Sequence, residues 1–383
     1  MSARRPPFVI VGNPDNRRVG LFQEALARQG EPAAKVLRWL DLARGEDVFA
    51  GLPDDETLFR IDSFGEDFEV TRELLRRGEE DARRADVETV SAATIAALPY
   101  DRGRILAPRQ EHLGFLRVLT ELERDLARRP NHRASPAPHS IAQLFDKRAC
   151  ARTFAAAGVP IAAPLPEITT PEALRAAMER AGRNRVFVKL TCGSSASCFA
   201  LYDWDGERPR EGSLFTTMEI DGERLYNSLR PRRYRDPVLI DRLLAFLLRE
   251  GSHVEEHVAK ARLGGKYFDT RMLVIGGEVA FTVVRKSPHP ITNLHLGGER
   301  GTEVELAALI APAVLRAAEA SAKAVFAAHR CLHLGVDVMF TAALDSHRVL
   351  EANAFGDLLP NLQSGGLTVY EWEVRAARAA QRH

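Results

Sequence analysis

The sequence predicts an α/β (α+β) fold, with a parallel sheet near the N-terminal end followed by antiparallel sheets. Strand-like and helical runs alternate over about the first 130 residues, which is typical of a parallel α/β domain. Further along, the β-rich runs YFDTRMLVIG and EVAFTVVRK are joined by Gly-Gly, which predicts a hairpin. Two more apolar runs, around Asp337 and Glu351, lie close enough along the chain to form a second hairpin.

Hydrophobic periodicity gives the N-terminal elements. Phe8–Val11 is predicted as a buried strand, and a helix of period 3.6 is expected from Arg17 to Gln29. LFRI (58–61) and RILA (104–107) are predicted as further strands, separated by helices such as Phe68–Arg77. The turn GNPDN after the first strand lacks the glycine-rich dinucleotide fingerprint, so no nicotinamide site is expected.

The remaining elements follow from turn signals and periodicity. In chain order they are a helix from Ile141 to Gly158, a helix opened by Thr170 and Pro171, a strand at Val186–Leu190, an insertion at about 203–250 holding the helix DRLLAFLLREG, and a long helix at Glu303–Ala328. The Pro- and Ser-rich segment RRPNHRASPAPHS favours a domain boundary. We therefore expect a Rossmann-like domain at 1–130, a linker at 131–140, a central part at 141–250 and a C-terminal part at 251–383.

Size and charge exclude several classes of function. A chain of 383 residues is too long for one ordinary hydrophobic core, so two or three domains are expected. Its 53 basic and 52 acidic residues leave a net charge of +1. This near-neutral balance does not predict a charged surface for binding nucleic acid or a membrane. Neither a signal peptide nor a membrane-spanning helix is visible in the sequence. The four cysteines lack a C-x-x-C pair, so a cytoplasmic protein is expected, and small buried cysteines are favoured over a zinc cluster of His329, Cys331 and His333.

Three oxygen-bearing side chains near the C-terminal end predict a metal site. Asp337 lies in one apolar run, and Glu351 and Asn353 stand two residues apart in the next, which places both on one face of a strand. A hairpin would bring Asp337 beside them, and magnesium prefers such hard oxygen ligands when phosphates supply the others. The alternative is an alternating strand whose outward residues happen to be polar.

Lys189 and the loop after it predict a phosphate site. Lys189 stands in a run of Val, Phe and Leu, where a charge is unusual unless an anion meets it. The following TCGSSASCF contains Gly193, Ser194 and Ser195, and its small residues would let backbone N–H groups approach phosphates. The loop lacks the G-K-[ST] ending of a Walker A motif, and an ordinary small-residue turn is the alternative. Lys147 is a second candidate cation.

The segment VEEHV predicts a nucleotide-binding strand end. Glu255, Glu256 and Val258 stand where a strand at a domain joint could present its main chain to an adenine edge. An ordinary edge strand with exposed acids is the alternative. Asp269 and Arg271 share one face of the next strand, where they could meet ribose and phosphate or simply form a cross-strand ion pair.

Arg285 and Asn293 complete the set of candidates. Arg285 closes the run FTVVR, and Asn293 opens NLHLGG, which has the composition of a loop beside phosphates. With these residues the order of motifs over about 141–375 resembles the ATP-grasp superfamily, most closely its RimK-like branch of carboxylate–amine ligases. The resemblance is carried by DTRMLVIGGEV (269–279), NLHLGG (293–298) and GVD…LEANA (335–354). It implies an ATP-grasp fold over 141–383 with the N-terminal domain in front of it.

The resemblance also assigns roles. It implies that Lys147 and Lys189 contact nucleotide phosphates, with Lys189 also near the adenine, and that the loop 191–197 covers the phosphates. Glu255 and Val258 would present the adenine-binding main chain, with Glu256 between them, and Asp269 would hold ribose. Arg285 and Asn293 would bracket the transferred phosphoryl group, which Arg271 could also face from its strand, and Asp337, Glu351 and Asn353 would bind magnesium. The cofactors implied are ATP and two Mg²⁺ ions, with Mn²⁺ as a substitute. The long segment 203–250 and the loop cysteines Cys192 and Cys198 depart from the family pattern.

The function expected from this resemblance is ATP-dependent joining of a carboxylate to an amine through an acyl-phosphate. Small-molecule or peptide substrates and a possible homodimer are expected. A kinase on the same fold and a non-catalytic nucleotide-binding protein are the alternatives. The arginines of LRPRRYR (229–235) are expected either to form a solvated surface or to line the cleft mouth and bind an anionic substrate.

Overall fold

A four-stranded parallel sheet forms the N-terminal part of the computed structural model, which describes residues 5–193, 197–204, 206, 212–356 and 359–381. The sheet order is β2-β1-β3-β5. Its elements are β1 (Phe8–Gly12), α1 (Arg17–Arg28), β2 (Lys35–Arg38), α2 (Trp39–Arg44), β3 (Thr57–Ile61), α3 (Phe68–Arg84), α4 (Ala92–Ala96), α5 (Pro108–Ala127), β5 (His132–Ser135) and α6 (Pro138–Leu144), with β4 (Arg104–Ile105) joining another sheet. The predicted Rossmann-like character of this part fits the parallel pairing.

Two expectations for this part differ from the structure. The run RILA is not a strand of the parallel sheet, because Arg104 pairs with Tyr226 and Ile105 with Leu225 in an antiparallel bridge to the central sheet. The segment 131–140, expected as a linker, contains β5, which pairs in parallel with β3 and so completes the N-terminal sheet. Polar composition concealed this strand, since only His132 within it is fully buried.

The central part is a six-stranded sheet of order β10-β6-β7-β8-β9-β4. Its elements are α7 (Lys147–Ala156), α8 (Pro171–Arg180), β6 (Arg185–Leu190), β7 (Phe199–Asp203), β8 (Ser213–Asp221), β9 (Arg224–Tyr234), α9 (Pro237–Arg249) and β10 (Ser252–Glu256). The segment expected as an insertion is therefore built into this sheet, because β8 and β9 form a hairpin that extends it beyond β7.

The C-terminal part carries a five-stranded antiparallel path, β14-β13-β12-β15-β16, with β11 beside β12. Its elements are β11 (Arg262–Leu263), β12 (Lys266–Ile275), β13 (Glu278–Ser287), a 3₁₀ turn (Leu294–Leu296), β14 (Glu299–Arg300), α10 (Glu303–Leu309), α11 (Pro312–Ala327), β15 (His333–Phe340), β16 (His347–Asn353), β17 (Gln363–Ser364), β18 (Leu367–Thr368) and α12 (Val369–Ala380). Both predicted hairpins, β12–β13 and β15–β16, are present.

Two predicted helices are each broken in two. The helix expected over 141–158 ends at Leu144, and Asp146 caps a new helix by accepting the N–H groups of Arg148 and Ala149. The helix expected over 303–328 breaks before Pro312, since a residue preceding proline is disfavoured in the α conformation. The first break has a functional consequence, because it places Lys147 at the N-terminal end of α7.

Close packing holds the N-terminal part together and also joins it to α12. The helices α3 and α5 meet at Gly78 and Gly114, where a Cβ on Gly78 would lie 1.9 Å from the Gln110 carbonyl oxygen. Helix α12 returns to the N-terminal part, and Tyr370 meets Phe22 edge to face with ring centroids 6.5 Å apart. No helix in the described ranges is both long and apolar enough to cross a bilayer.

The Asp146 cap can be tested by Asp146→Ala. Loss of the capping carboxylate leaves two N–H groups of α7 without a partner, so we expect the free energy of unfolding to fall by about 1 kcal/mol. Urea denaturation measures this change. Arg152→Ala, at an exposed position of the same helix, is the control and should stay within about 0.5 kcal/mol of the parent. An equal loss in both variants would contradict the capping role.

Candidate functional site

A large cleft of about 1080 Å³ lies between the central and C-terminal sheets and reaches the N-terminal part. Most of the residues singled out from the sequence line it: Lys147, Lys189, Gly193, Glu255, Val258, Asp269, Arg271, Arg285, Asn293, Asp337, Glu351 and Asn353. They come from both sheets and from the start of α7, so the fold gathers residues that are up to about two hundred positions apart.

Lys189 meets an anion, as a charge in an apolar strand requires, but that anion is Glu255. Strands β6 and β10 are antiparallel, with Lys189 opposite His253 and Phe187 opposite Glu255. Both charged side chains are 7% exposed and form an ion pair, while His253 Nε2 lies 3.2 Å from the other Glu255 oxygen. Burial opposes ionisation of Glu255, yet Lys189 and His253 outweigh it and lower the pKa of Glu255 to about 2.

Lys147 connects the loop to the metal-site strand. Its Nζ donates to the Gly193 carbonyl and lies 3.7 Å from Glu351 Oε2, and its backbone N–H donates to Thr191 O at 3.1 Å. Gly193 fits closely, because a Cβ there would lie 3.0 Å from Ser197 O. The candidates Ser194 and Ser195 lie outside the described residues. Lys147 thus stands where it can reach both the loop backbone and a carboxylate.

Asp269 holds two cations on the cleft wall. Its Oδ1 accepts from Arg285 Nε at 2.7 Å, and its Oδ2 accepts from the Thr292 hydroxyl and lies 3.3 Å from Lys260 Nζ. Burial lowers the pKa of Lys260, which also donates to Thr292 Oγ1 at 2.8 Å. Both carboxylate oxygens of Asp269 are therefore engaged by protein groups, which favours a role in holding Arg285; contact with ribose stays a prediction.

Asp337 forms ion pairs with two guanidinium groups. Arg271 donates through Nε and, at 3.0 Å, through Nη2, and Arg285 Nη2 lies 3.1 Å away. Burial opposes the charge on Asp337, but the two arginines hold its pKa well below the usual range. In return Asp269 and Asp337 overcome the effect of burial and raise the pKa of Arg285. The pairing follows from register, since Arg271 on β12 faces Asp337 on β15.

The three predicted metal ligands lie together and fit a hard divalent cation. Asp337 and Glu351 are direct partners across β15 and β16, and Gly335 is the partner of Asn353. Asn353 Nδ2 points to Gly335 O at 3.4 Å, which leaves its carbonyl oxygen for a cation. Two carboxylates and one amide oxygen suit magnesium when phosphates complete the coordination. Both oxygens of Asp337 are engaged by Arg271 or Arg285, so Asp337 would have to exchange one of these contacts for the ion.

The residues of the zinc cluster weighed from the sequence, His329, Cys331 and His333, have protein neighbours of their own. Within the described ranges no group of three or more His, Cys, Asp or Glu residues is placed to bind a metal. His329 Nδ1 lies 2.7 Å from the Val325 carbonyl, and burial raises the pKa of the Cys331 thiol to about 12. Cys150 and Cys198 are buried, as small buried cysteines were expected to be, whereas Cys192 and Cys331 are half-buried.

Glu256 and the arginine stretch lie apart from the cleft wall. The Glu256 carboxylate is 2.5 Å from Arg183, and its backbone N–H donates to Ala163 O at 2.9 Å. Arg232 pairs with Glu219 on the neighbouring strand, and Arg233 donates to the Ser213 hydroxyl at 2.7 Å. Arg232 and Arg233 are thus engaged on the surface of the β8–β9 hairpin and are not among the cleft-lining residues, although Leu229 of the same stretch is. Binding of an anionic substrate by this stretch stays a prediction.

Sequence reasoning missed several cleft residues. These are Arg18, Glu111, His253, Lys260 and Thr292. Lys260 could have been found, because it follows the VEEHV segment by two residues and another charge in a mostly apolar run signals a buried partner. Arg18 and Glu111 gave no local signal, since each lies on a helix that is amphipathic and otherwise ordinary.

Glu111 is a cleft carboxylate that no cation pairs with among the described residues. It lies in the first turn of α5, and its Oε1 accepts from the Thr71 hydroxyl at 3.2 Å. Burial, opposed only by this hydrogen bond, raises the pKa of Glu111 to about 7. Because the native pKa lies above the unfolded value, the native state binds an extra proton between about pH 4.5 and pH 7.

Glu111→Gln tests this shift. The stabilisation that protonated Glu111 retains at pH 5 is lost as the pH rises through about 7, whereas glutamine does not ionise. We therefore expect the variant to be more stable than the parent by about 1–3 kcal/mol at pH 8 and close to it at pH 5, by urea denaturation. Glu66→Gln, at an exposed cleft-rim position, is the control. A difference independent of pH would contradict the shift.

Solved structures resemble the whole chain. The macrocyclase MdnC bound with precursor peptide MdnA from Microcystis aeruginosa MRC matches with a TM-score of 0.55 at 11% identity, covering 98% of this chain and 100% of that one. The ATP-grasp ligase PsnB, complexed with a variant minimal precursor, Mg and ADP, gives 0.52 at 16% identity and coverages of 98% and 99%. D-cycloserine synthetase DcsG gives 0.52 at 17% identity and coverages of 97% and 99%.

Sequence comparison adds nothing further, since no family model and no curated protein matches the chain. The structural likeness nevertheless extends over both ends of the molecule and confirms the predicted fold class. The narrower RimK-like assignment stays a prediction. By its architecture, the chain has the fold of the ATP-grasp ligases.

Proposed function

We propose that the protein is an ATP-dependent, ADP-forming ligase that activates a carboxylate as an acyl-phosphate and transfers it to an amine. The observation that carries this proposal is the convergence in one cleft of three oxygen ligands on β15 and β16 with the guanidinium groups of Arg271 and Arg285. Cations beside hard oxygen ligands suit a phosphoryl group and its metal ion. All five residues lie on strands of the C-terminal sheet, and the central sheet contributes Lys189 and Glu255 to the same cleft.

The charges of the cleft support binding of a polyphosphate. Lys147, Lys189, Lys260, Arg271 and Arg285 all line it. Each forms an ion pair with a cleft carboxylate, so a nucleotide would exchange these partners rather than meet bare cations. Such an exchange limits the desolvation cost of binding, because the lysines and arginines are already removed from water.

Asp337, Glu351 and Asn353 would hold magnesium. Bound there, the ion would neutralise charge on the nucleotide phosphates during transfer. Two ions, and replacement by Mn²⁺, remain part of the proposal. Arg271 and Arg285 would orient Asp337 and face the transferred phosphoryl group, while Lys147 would reach both Glu351 and the loop at Gly193.

The chemistry needs little beyond positioning. The substrate carboxylate attacks the γ-phosphorus, ADP leaves, and an amine then displaces phosphate from the acyl-phosphate to form an amide. Arg285 and Asn293 stand on the cleft wall where they could stabilise the transferred group. Closure of the loop at 191–197 would keep water from the acyl-phosphate. MdnC and PsnB are complexed with precursor peptides, which supports peptides as well as small molecules among the substrates to be tested.

Hydroxylamine trapping tests the proposed reaction. We incubate the protein with MgATP, pooled amino acids and short acidic peptides, and hydroxylamine, and search for hydroxamates by mass spectrometry while following ADP. An acyl-phosphate gives a hydroxamate, whereas a kinase gives a stable phosphorylated product. Asn353→Ala should lower hydroxamate formation by about 100-fold or more while the protein stays folded. Asn131→Ala, at an exposed site remote from the cleft, is the control. A phosphorylated product without hydroxamate would reject the ligase.

The phosphate role of Lys189 is tested by comparing two variants. Lys189→Met alone leaves Glu255 buried without its cation, so weaker nucleotide binding could reflect disruption instead of a lost contact. Adding Glu255→Gln removes that stranded charge. If Lys189 contacts phosphate, both variants should bind ATP about 2–3 kcal/mol more weakly than the parent by calorimetry. Recovery of parent affinity in the double variant would assign Lys189 a purely structural role.

A further inference from the structure

Glu111 is a cleft carboxylate with one oxygen available to a ligand. It lies in the first turn of α5, is partly buried and lines the cleft. Its Oε1 accepts from the Thr71 hydroxyl at 3.2 Å, whereas its Oε2 has neither a hydrogen bond nor an ion pair with the residues that the structure describes. The carboxylates of the cleft's ion-pair network differ, because each is paired with a lysine or an arginine: Glu255, Asp269, Asp337 and Glu351.

The surroundings of Glu111 favour a cationic ligand. Burial raises the pKa of Glu111 to about 7, opposed by a single hydrogen bond, and no charged group of the described residues shifts it. The lysines and arginines that line the same cleft are directed elsewhere: Arg18 donates to the Phe355 carbonyl at 2.8 Å, and Lys147 pairs with Glu351. A cation brought by a ligand would therefore stabilise the ionised form of Glu111, which burial alone disfavours.

Contacts of Cys192 place Glu111 beside the start of the loop that is expected to cover the nucleotide phosphates. The Cys192 sulfur lies 3.8 Å from the carbonyl oxygen of Pro108, which begins the same turn of α5 as Glu111. Burial raises the pKa of the Cys192 thiol to about 12, Lys147 lowers it and Glu111 raises it, so both charged groups lie close to the sulfur. Lys147 in turn donates its backbone N–H to Thr191 O at 3.1 Å. A group bound to Glu111 would thus lie near the phosphates of the proposed reaction.

Aromatic rings continue the cleft wall from the helix of Glu111 toward the proposed metal ligands. Phe115 lies one turn after Glu111 on α5, and its ring centroid is 5.7 Å from that of Phe64 and 5.2 Å from that of Phe145. The Phe145 ring contacts Phe355, just beyond β16, at 5.8 Å. Phe64, Phe145 and Phe355 all line the cleft. An ammonium group is attracted to aromatic faces as well as to a carboxylate.

The same side of the cleft carries exposed apolar side chains. Tyr100 is 61% exposed and Leu229 is 58% exposed, and both line the cleft. Tyr100 meets Phe68 edge to face with ring centroids 5.4 Å apart, and Asn227, two residues before Leu229, donates its N–H to Gly103 O at 2.7 Å. Exposed apolar side chains grouped at the rim of a cleft favour contact with an apolar part of a ligand. The N-terminal arm of the cleft is defined as its lining residues within 63–75 and 98–111, together with Leu229.

We propose that the N-terminal arm binds the amine substrate, a primary ammonium on an apolar body, with Glu111 as the residue that accepts its N–H groups. The ammonium would donate to Oε2 of Glu111, while Thr71 holds the other oxygen. The apolar body would contact the arm, including Tyr100 and Leu229. The role of this ligand as the second substrate rests on the proposed ligase reaction, whereas binding of the ammonium itself does not depend on it.

Two probes of similar shape test the binding: phenethylamine, which is positively charged, and phenethyl alcohol, which is neutral. Binding to the full chain is followed by ligand-observed NMR titration at about pH 8, above the pKa of Glu111. We expect the parent to bind the amine about tenfold more tightly than the alcohol. Glu111→Gln should abolish this preference, and Glu66→Gln, at an exposed position of the same arm, should keep it. Equal affinity for both probes in the parent, or a preference that survives Glu111→Gln, overturns the proposal.

A competition between two nucleophiles tests the role in the reaction. The protein is given MgATP, a carboxylate found by hydroxylamine trapping, and hydroxylamine together with phenethylamine. Hydroxylamine is small and mostly uncharged at this pH, so its capture of the acyl-phosphate does not need an ammonium site. We expect the ratio of amide to hydroxamate to fall about tenfold in Glu111→Gln and to stay within about twofold of the parent in Glu66→Gln.

The outcomes separate this inference from the ligase proposal. An unchanged ratio in Glu111→Gln, or no amide from the parent, overturns the amine site while hydroxamate formation still supports the ligase. Absence of hydroxamate from the parent rejects the ligase, and the comparison of phenethylamine with phenethyl alcohol then decides the ammonium site by itself.

Discussion

The pairing of Asp337 with Arg271 and Arg285 is the interaction on which the cleft depends. It joins side chains of β12, β13 and β15, three adjacent strands of the C-terminal sheet, and all three groups are at least about nine-tenths buried. A buried carboxylate without its cation would cost several kcal/mol, so the arrangement is held only while the register of all three strands is kept. The β15–β16 hairpin, which carries the proposed metal ligands, is thereby held in register with the strands that carry the arginines.

Register explains why the remaining groups converge. Arg271 and Asp337 are partners across β12 and β15, Asp269 and Arg285 across β12 and β13, and Asp337 and Glu351 across β15 and β16. A slip of one residue in any pair would turn one member to the other face of the sheet. The fully buried apolar residues on the opposite face, such as Met272 and Val336, oppose such slips because they would be exposed.

Much of this could be predicted from local patterns. Hairpin turns, the strand-borne polar residues and the order of motifs depend on neighbours in the chain, and these predictions agree with the structure over β12 to β16. The predictions that were wrong concerned residues whose position is decided by contacts with residues far away in the sequence. Arg104 and Ile105 look like any strand, and only pairing with β9 assigns them to the central sheet. Glu255 was expected to offer its main chain, and only the β6–β10 register reveals that its carboxylate is the partner of Lys189.

The same pairing constrains how a nucleotide can enter. In the ion-pair network of the cleft, five cations, Lys147, Lys189, Lys260, Arg271 and Arg285, face the four carboxylates of Glu255, Asp269, Asp337 and Glu351. A polyphosphate alone would make the cleft strongly negative, and a divalent ion alone would leave it strongly positive. Binding of both together would change the net charge of the cleft least. The ion would bind the carboxylates, and the lysines and arginines released from them would bind the phosphates. The ion-pair network therefore favours joint binding of metal and nucleotide over binding of either one.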